Sequence, residues 1–224
     1  MRRRSLRKQQ HSGKAKNTMN HMSELFHKSA DFTEYGIGYF ERLAHFFSTV
    51  DLEVIGRIAD TLDKARENGS AIYFIANGGS AAIASHWVND LLVGAQLGDN
   101  PGFRAYCPTD NSSSVTAIAN DSCFENVFAA QLRVQLQPGD VVYAMSVSGN
   151  SENIVRGLQA AIDKGATTIG VSGMAGGRML ALCDIALHIP CTSDEYGPVE
   201  DMFSIIEHLI AGYLTMKGGK MMHH

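Results

Sequence analysis

Residues 71–216 alternate short apolar segments with helical patterns, and this order allows only a few folds. Helical patterns separate most of the apolar segments and also follow the last one. Five segments are predicted to be strands, with the sequences AIYFIA, FRAYC, DVVYAMSV, TTIGVSG and CDIALHIP. Strands that alternate with helices favour a parallel sheet covered on both faces, so the expected fold class is a doubly wound α/β domain.

Two helices are predicted before the first strand. DFTEYGIGYFERLAHFFSTV carries apolar residues at helical spacing, and DLEVIGRIADTLDKARENGS begins with an aspartate in the N-cap position. The first of these helices is rich in aromatic residues, which suits either the core or a contact between subunits and slightly favours the contact. Residues 1–30 are polar, basic and without periodicity, so we expect a disordered tail there and a single domain over residues 31–218.

The net charge of −4 combines a basic N-terminus with an acidic body. Residues 1–16 carry seven Lys or Arg and no acidic residue, which leaves twelve basic and 23 acidic residues in the rest. An acidic body disfavours nucleic acid as a partner. No segment approaches the roughly 18 apolar residues of a membrane span, and the N-terminus lacks the apolar stretch of a secretory signal. Together with four cysteines that form no CxxC pair, these features predict a cytoplasmic protein without a membrane partner.

Two loops rich in glycine and serine each follow a predicted strand and open a helix. The first is Asn77-Gly78-Gly79-Ser80, and the second is SVSGNS at residues 146–151. Glycine lets the backbone approach an anion, helix N-termini supply N–H donors, and serine adds hydroxyl donors. One such loop is equally well a tight turn, but two at equivalent positions favour a ligand. The sequence has no GxGxxG after the first strand and no GxxxxGK[ST], so we expect no nucleotide cofactor.

Two pairs of ionisable residues stand at helical spacing near these loops. His86 and Asp90 are four residues apart on the helix after the first loop, so they share a face. Glu200 and His208 are eight residues apart on the last helix, on roughly the same side and about 12 Å apart along the axis. His208 lies in the apolar stretch IIEHLIAGYL, which predicts that it is buried. Either pair alone is more often structural than functional.

Several segments, in order, resemble the sugar isomerase (SIS) family and, within it, the phosphoheptose isomerases. NGGSAAIASH is similar to the family's first phosphate loop, and SVSGNSENIVRGLQAAIDKG to its serine-rich loop. AIANDSCFENVF and SIIEHLIAGYL resemble the intervening stretch and the C-terminal helix. The resemblance covers about residues 33–216. It implies a flavodoxin-like three-layer fold, a homotetramer with sites at subunit interfaces, and isomerisation of a sugar phosphate by acid/base enediol chemistry.

The resemblance also implies roles for individual residues. It assigns the acid/base pair to Asp90 and His208, and a zinc site with one ion per subunit to His86, Asp90, Glu200 and His208. The family usually has Glu at the position of Asp90 and Gln at the position of Glu200. The substrate-binding residues expected from the loops and the resemblance are Asn77, Gly78, Gly79, Ser80, Asp110, Ser146, Ser148, Asn150 and Ser151.

Three functions are compatible with the sequence. The first is an isomerase that interconverts sedoheptulose 7-phosphate and glycero-manno-heptose 7-phosphate. The second is a non-catalytic phosphosugar-binding or regulatory protein of the same fold, such as a tetramer that associates with a replication initiator. The third is an isomerase of a shorter or an amino sugar. The acid/base and metal positions all carry ionisable residues, which favours an enzyme.

Overall fold

The computed structural model describes residues 20–95 and 101–219, and its five strands form one parallel sheet. The strands are β1 (Ala71–Ile75), β2 (Arg104–Tyr106), β3 (Val141–Ser146), β4 (Thr167–Ser172) and β5 (Ile185–His188). Their order in the sheet is β2-β1-β3-β4-β5, so the winding direction reverses between β1 and β3. In open α/β sheets ligands bind at such a reversal, beyond the carboxyl ends of the strands. The predicted doubly wound α/β fold is confirmed.

Eight α-helices surround the sheet within the described ranges. They are α1 (His21–Lys28), α2 (Phe32–Thr49), α3 (Leu52–Asn68), α4 (Gly78–Asn89), α5 (Ser112–Asp121), α6 (Val127–Gln135), α7 (Glu152–Asp163) and α8 (Tyr196–Lys217). A π-helical turn at Asp90–Gly94 continues α4, and short 3-10 turns lie at Phe124–Asn126 and Leu180–Leu182.

The sheet separates two hydrophobic clusters, one on each face. Side chains of α2, α3, α4 and α8 pack with Phe74 and Tyr143 on one face. Side chains of α5, α6 and α7 pack with Ile75 and Val142 on the other. Successive residues of a strand point to opposite faces, so β1 and β3, with burial at every position, supply both clusters.

Local signals set the ends of the two predicted N-terminal helices. Asp51 caps α3 by accepting hydrogen bonds from the backbone N–H groups of Glu53 and Val54. Gly69 ends the same helix in the left-handed conformation, at φ 68°. In α2 the aromatic residues divide between environments, because Phe46 is buried in the core whereas Phe40 is 70% exposed.

The expected disorder of residues 1–30 is wrong for residues 21–28, which form α1. This short helix docks on the segment before α8, where the backbone N–H of Ser23 donates to the Asp194 carboxylate at 2.8 Å. Leu25 packs so closely on α2 that a Cβ at Gly38 would lie 2.2 Å from it. Contacts with the rest of the domain hold this helix, and an eight-residue pattern does not reveal them. Residues 1–19 of the expected tail lie outside the described residues.

All four cysteines lie within the described residues. The thiols of Cys107, Cys123, Cys183 and Cys191 are all free. Within residues 20–95 and 101–219, no helix combines the length and the apolar character needed to cross a bilayer.

Candidate active site

The loop after β1 brings the N-terminus of α4 to the switch point of the sheet. Asn77 takes the N-cap position in an extended conformation, and Gly78 opens the helix at φ 55°, where a side chain would be strained. A Cβ at Gly79 would lie only 2.5 Å from a carboxylate oxygen of Glu200. The glycines therefore let α8 and any ligand come close to the backbone of this loop.

The loop after β3 makes a tight turn into α7. Gly149 has φ 63°, and a Cβ there would lie 2.0 Å from the carbonyl oxygen of Gly176, so only glycine fits. The backbone N–H of Gly149 donates to the Ser146 hydroxyl at 3.1 Å. The backbone N–H of Asn150 donates to the Ser148 hydroxyl at 3.3 Å. These bonds hold the two serine side chains within the turn, directly before the N-terminus of α7.

A pair of amides ties the two loops together. Asn77 donates to the side-chain oxygen of Asn153 at 2.9 Å, and Asn153 donates back to that of Asn77 at 2.7 Å. Asn153 lies in the first turn of α7 and is buried. Sequence reasoning missed it, because a single asparagine in a helix gives no signal of its partner. The reciprocal bonds fix the spacing between the N-termini of α4 and α7.

Between the loops lies a cavity that we call the serine cup. Its lining residues are Asn77, Ser80, Met145, Ser146, Val147, Ser148, Ser151, Met174 and Tyr196. Four of these residues carry serine hydroxyls, and the N-termini of two helices meet at the cup. Hydroxyl donors and helix N-termini together suit an anion such as a phosphate group.

The predicted substrate-binding residues divide into those at the cup and those beside it. Five of them line the cup, namely Asn77, Ser80, Ser146, Ser148 and Ser151. Gly78 and Gly79 form the backbone turn at its edge. The Asn150 side chain instead binds the loop backbone and accepts from the N–H of Arg178. Asp110 accepts a hydrogen bond from Ser85 on α4.

Further along α4 and α8, four ionisable side chains meet in what we call the His–carboxylate cluster. It consists of His86, Asp90, Glu207 and His208, whose ligand atoms all lie within 4.8 Å of one another. His86 Nε2 is 3.4 Å from Asp90 Oδ1, and His208 Nε2 is 3.3 Å from Glu207 Oε2. The two imidazole rings meet edge to face, with 5.0 Å between their centroids. Three of the four predicted metal residues are therefore brought together.

Glu207 is the member of the cluster that sequence reasoning missed. Its side chain is fully buried, and neither carboxylate oxygen has a hydrogen-bond partner. Burial, and then the nearby Asp90 carboxyl, raises the pKa of Glu207 to about 8. The available signal was its spacing, since Phe203, Glu207 and Ile210 occupy one helical face and all three are buried.

Glu200, predicted as the fourth metal residue, lies at the serine cup instead of the cluster. Its carboxylate accepts a hydrogen bond from the Ser80 hydroxyl at 2.8 Å. Seven residues separate Glu200 from Glu207 on α8, which places them about 10.5 Å apart along the helix axis. One straight helix therefore gives one carboxylate to each end of the site.

The expected burial of His208 is wrong. Its side chain is 57% exposed, whereas the side chain of the preceding Glu207 is fully buried. Adjacent residues on a helix point about 100° apart, so one faces the core while the next faces outward. His86 and Asp90 are also partly open to solvent, with side chains 42% and 26% exposed.

The cluster has the donor set of a transition-metal site. Zn²⁺ takes imidazole nitrogen and carboxylate oxygen ligands, usually four of them. Two histidines and two carboxylates stand here around one point, and one carboxylate has no other partner. These residues could hold a divalent cation, and the partial exposure of three of them leaves access for a substrate.

Comparison with known sequences places the chain beside one family. The sequence model of the SIS domain family matches residues 37–173. Phosphoheptose isomerase from Solidesulfovibrio magneticus is 40% identical over 167 residues, which cover 75% of this chain and 79% of that protein. The probable phosphoheptose isomerase of Thermoplasma acidophilum is 35% identical over 179 residues, covering 80% and 97%.

Comparison with solved structures agrees. The structure of phosphoheptose isomerase from Neisseria gonorrhoeae superposes with a TM-score of 0.75 and 26% sequence identity. The match covers 83% of this chain and the whole of that one. A phosphoheptose isomerase from Francisella tularensis, at 22% identity and a TM-score of 0.74, shares the fold.

Proposed function

The chain belongs to the SIS domain family, and we propose that it is a phosphosugar isomerase that interconverts sedoheptulose 7-phosphate and glycero-manno-heptose 7-phosphate. Several relatives named phosphoheptose isomerase, at 34–41% identity over at least 70% of this chain, support the assignment. The expected cytoplasmic location stays a prediction.

The observation that carries the proposal is the pairing of two sites on the same two helices. α4 and α8 pack together, and both run from the serine cup to the His–carboxylate cluster. The cup suits a phosphate group, while the cluster contains groups that can transfer a proton. An aldose–ketose isomerase of sugar phosphates needs these two capabilities at a fixed spacing.

The spacing favours a long sugar. Ser80 and His86 are six residues apart on α4, so the cup and the cluster are separated by about 9 Å along that helix. An extended chain advances roughly 1.2 Å per bond, which gives about 10 Å from C1 to phosphorus in a heptose 7-phosphate. The corresponding length for a pentose 5-phosphate is about 7 Å. A heptose 7-phosphate would therefore match the distance between the two sites more closely than a pentose 5-phosphate would.

The cup residues would hold the phosphate end of the substrate. Donors from Ser146, Ser148 and Ser151, with the N-termini of α4 and α7, would bind the phosphate similarly in the ground state and the transition state. Such uniform binding lowers KM and leaves the chemical step largely unchanged. Phosphate binding also positions the substrate, because an anchored phosphate holds C1 and C2 at a fixed distance from the cup along α4.

Asp90 and His208 would carry out the proton transfers. The reaction removes a proton from the carbon beside a carbonyl and returns a proton to the neighbouring carbon. We assign these steps to the Asp90 carboxylate and the His208 imidazole, one acting as base and the other as acid toward the substrate oxygens. Both side chains are partly exposed at the cluster, so a substrate can reach them.

The donor set and the unpartnered oxygens of Glu207 fit a zinc ion, which we propose as the cofactor. His86, Asp90 and His208 are the residues of the predicted set that would hold it. A bound zinc ion would supply Lewis-acid stabilisation of negative charge on the substrate oxygens.

We also propose that the chain assembles as a homotetramer. α8 carries an exposed apolar stripe at helical spacing, formed by Ile205, Leu209, Tyr213 and Met216. Phe40 and Phe47 on α2 are exposed as well. Apolar surfaces of this kind commonly mark protein contacts. Light scattering at micromolar concentration tests the assembly, and a monomer would contradict it.

The experiment that tests the function is incubation of the purified protein with a panel of sugar phosphates, followed by NMR. We expect interconversion of the heptose 7-phosphates and loss of turnover after chelation. Replacing His208 by Ala or Asp90 by Asn should each reduce turnover by roughly 10²–10⁴. Asp60→Asn, at an exposed position on α3, removes the same charge and serves as the matched control.

Two results would contradict the proposal. No turnover of any sugar phosphate by protein supplied with zinc would favour the non-catalytic, phosphosugar-binding alternative. Faster turnover of a pentose phosphate than of the heptose phosphates would favour the shorter-sugar isomerase and remove the argument from spacing.

A further inference from the structure

Glu207 is a buried carboxylate that lacks a hydrogen-bond partner. Among the described residues, the buried side-chain polar atoms without a hydrogen-bond partner are Trp87 Nε1 and the two carboxylate oxygens of Glu207. Burying a carboxylate without donors is costly, and native proteins almost always provide partners. Glu207 also sits on the apolar face of α8, between Phe203 and Ile210. A bound cation would give both carboxylate oxygens a partner.

The groups that face Glu207 leave a cation as the suitable partner. His208 Nε2 lies 3.3 Å away and His86 Nδ1 lies 3.7 Å away, and neither makes a hydrogen bond to it. The third neighbour is the Asp90 carboxyl, which repels an ionised Glu207 and shares a hydrogen bond with a protonated one. Within residues 20–95 and 101–219, no Lys or Arg forms an ion pair with Glu207. Two carboxylates facing two imidazoles are balanced by one divalent cation.

Two of the six separations between the ligand atoms match those of a metal site, and all six are within 4.8 Å. A tetrahedral zinc site with bond lengths near 2.1 Å has ligand-to-ligand edges of about 3.4 Å. The pairs His208 Nε2–Glu207 Oε2 and His86 Nε2–Asp90 Oδ1 measure 3.3 and 3.4 Å. α4 supplies one imidazole–carboxylate pair and α8 supplies the other. The two pairs face each other where the helices pack.

Glu200 of the same subunit does not reach this position. It lies about 10.5 Å from Glu207 along the axis of α8. Its carboxylate is held at the serine cup by Ser80 and rests against Gly79. Moving it to the cluster would require α8 to unwind or shift by about two turns.

We propose that Glu207 is a ligand of the bound metal and that Glu200 is not, so that the ion is held by His86, Asp90, Glu207 and His208. The inference rests on the proposed function for the presence of a metal at this site. The site then has two histidines and two carboxylates. Its fourth ligand is Glu207, which replaces the Glu200 that the sequence resemblance predicted.

The test compares Glu207→Gln with Glu200→Gln, two changes that each remove one charge from α8 with little change in volume. Zinc affinity is measured by competition with a chromophoric chelator, and zinc content by mass spectrometry after dialysis. We expect Glu207→Gln to weaken zinc binding at least about hundredfold, because loss of an outer hydrogen-bond partner alone costs 10–100-fold. Glu200→Gln should keep the affinity within about threefold.

A second pair of variants reports the ligand directly and does not depend on affinity. In Glu207→Cys loaded with Co²⁺, a thiolate ligand should produce a sulfur-to-cobalt charge-transfer band. Glu200→Cys should show no band above that of the wild type. Circular dichroism and urea unfolding of each apo variant show whether it is folded.

The outcomes separate this inference from the proposed function. Unchanged zinc affinity in folded Glu207→Gln, or absence of the cobalt band in folded Glu207→Cys, overturns the inference. Failure of the wild type to bind zinc or cobalt overturns it as well. If zinc binds through Glu207 but no sugar phosphate is isomerised, the inference stands and the proposed function fails. If the wild type isomerises heptose phosphates and folded Glu207→Gln keeps its zinc, the proposed function stands and the inference fails.

Discussion

Replacing Glu200 by Gln should tighten the binding of phosphorylated ligands. The Glu200 carboxylate accepts a hydrogen bond from Ser80, which lines the serine cup. In this arrangement Ser80 gives its only hydroxyl proton to a carboxylate, and that carboxylate stands next to the proposed phosphate position. Glutamine keeps the shape, removes the charge and adds an N–H donor.

The expected magnitude follows from the distances. The hydroxyl-to-carboxylate separation is 2.8 Å, so a phosphate bound on the other side of Ser80 would lie about 6 Å from the Glu200 charge. Repulsion between a dianion and a single charge at that distance is about 1.4 kcal/mol with the dielectric constant of water. It corresponds to about a tenfold decrease in KM and in the inhibition constant of inorganic phosphate.

The assay is steady-state isomerase kinetics with inorganic phosphate as a competitive inhibitor, at low and at high salt. The matched control is Asp201→Asn, which removes a charge from the adjacent residue of α8. Asp201 faces α2, where it accepts a hydrogen bond from Tyr39 at 2.5 Å. We expect the control to change KM less than about twofold, and the effect of Glu200→Gln to shrink as salt screens it. An unchanged or raised KM in Glu200→Gln would refute the reasoning. Equal decreases in KM in both variants would mean that the net charge of the protein, rather than the position of Glu200, determines the effect.

Three further predictions concern the cup and the stability of the fold. Gly149→Ala should lower the free energy of unfolding in urea by at least about 2 kcal/mol. The reason is that the variant combines a left-handed φ with a Cβ 2.0 Å from the carbonyl oxygen of Gly176. A smaller loss would show that the loop relaxes. Ser148→Ala should raise KM several-fold with a smaller effect on kcat, measured in the same kinetic assay, and a loss confined to kcat would contradict a phosphate-anchoring role. Burial of Glu195 by itself would raise its pKa, but hydrogen bonds from Arg42 and the Thr192 segment outweigh burial and lower the pKa below the ordinary 4.5. The stability that Glu195 contributes is therefore complete above about pH 4.5 and lost as the pH falls through the lower folded value, so unfolding free energy should fall less steeply with acid in Glu195→Gln than in the wild type.

The parts of the structure that the sequence predicts well are those governed by local chemistry. The strands β1 and β3 are continuous apolar runs bounded by glycine-rich loops, and such runs have few alternatives in an α/β chain. The ends of α3 follow from the capping Asp51 and from the left-handed Gly69. The two site loops are also predicted locally, since glycine after a strand allows close approach of the backbone to an anion and serine adds hydroxyl donors.

The parts that sequence reasoning misses depend on which face of an element is covered. α8 is apolar on two sides, with Ile206 and Ile210 buried but Leu209 and Tyr213 exposed. A pattern that is apolar on both sides does not show which carboxylate faces the core. For this reason the sequence could not choose between Glu200 and Glu207.

Asp90 at the cluster and Glu200 at the serine cup, the two positions where the chain departs from the pattern that the resemblance implies, lie at opposite ends of the proposed site. The resemblance implies Glu at the position of Asp90, and an aspartate side chain is shorter by one methylene. Glu207 supplies a carboxylate to the cluster from the opposite helix, close enough for the two groups to perturb each other. If Glu207 holds the proposed metal, that ion needs no ligand from the start of α8. Glu200, which accepts the Ser80 hydrogen bond, would then act on the proposed phosphate rather than on the metal. The two glutamates of α8 would thus have separate roles, one at each end of the proposed site.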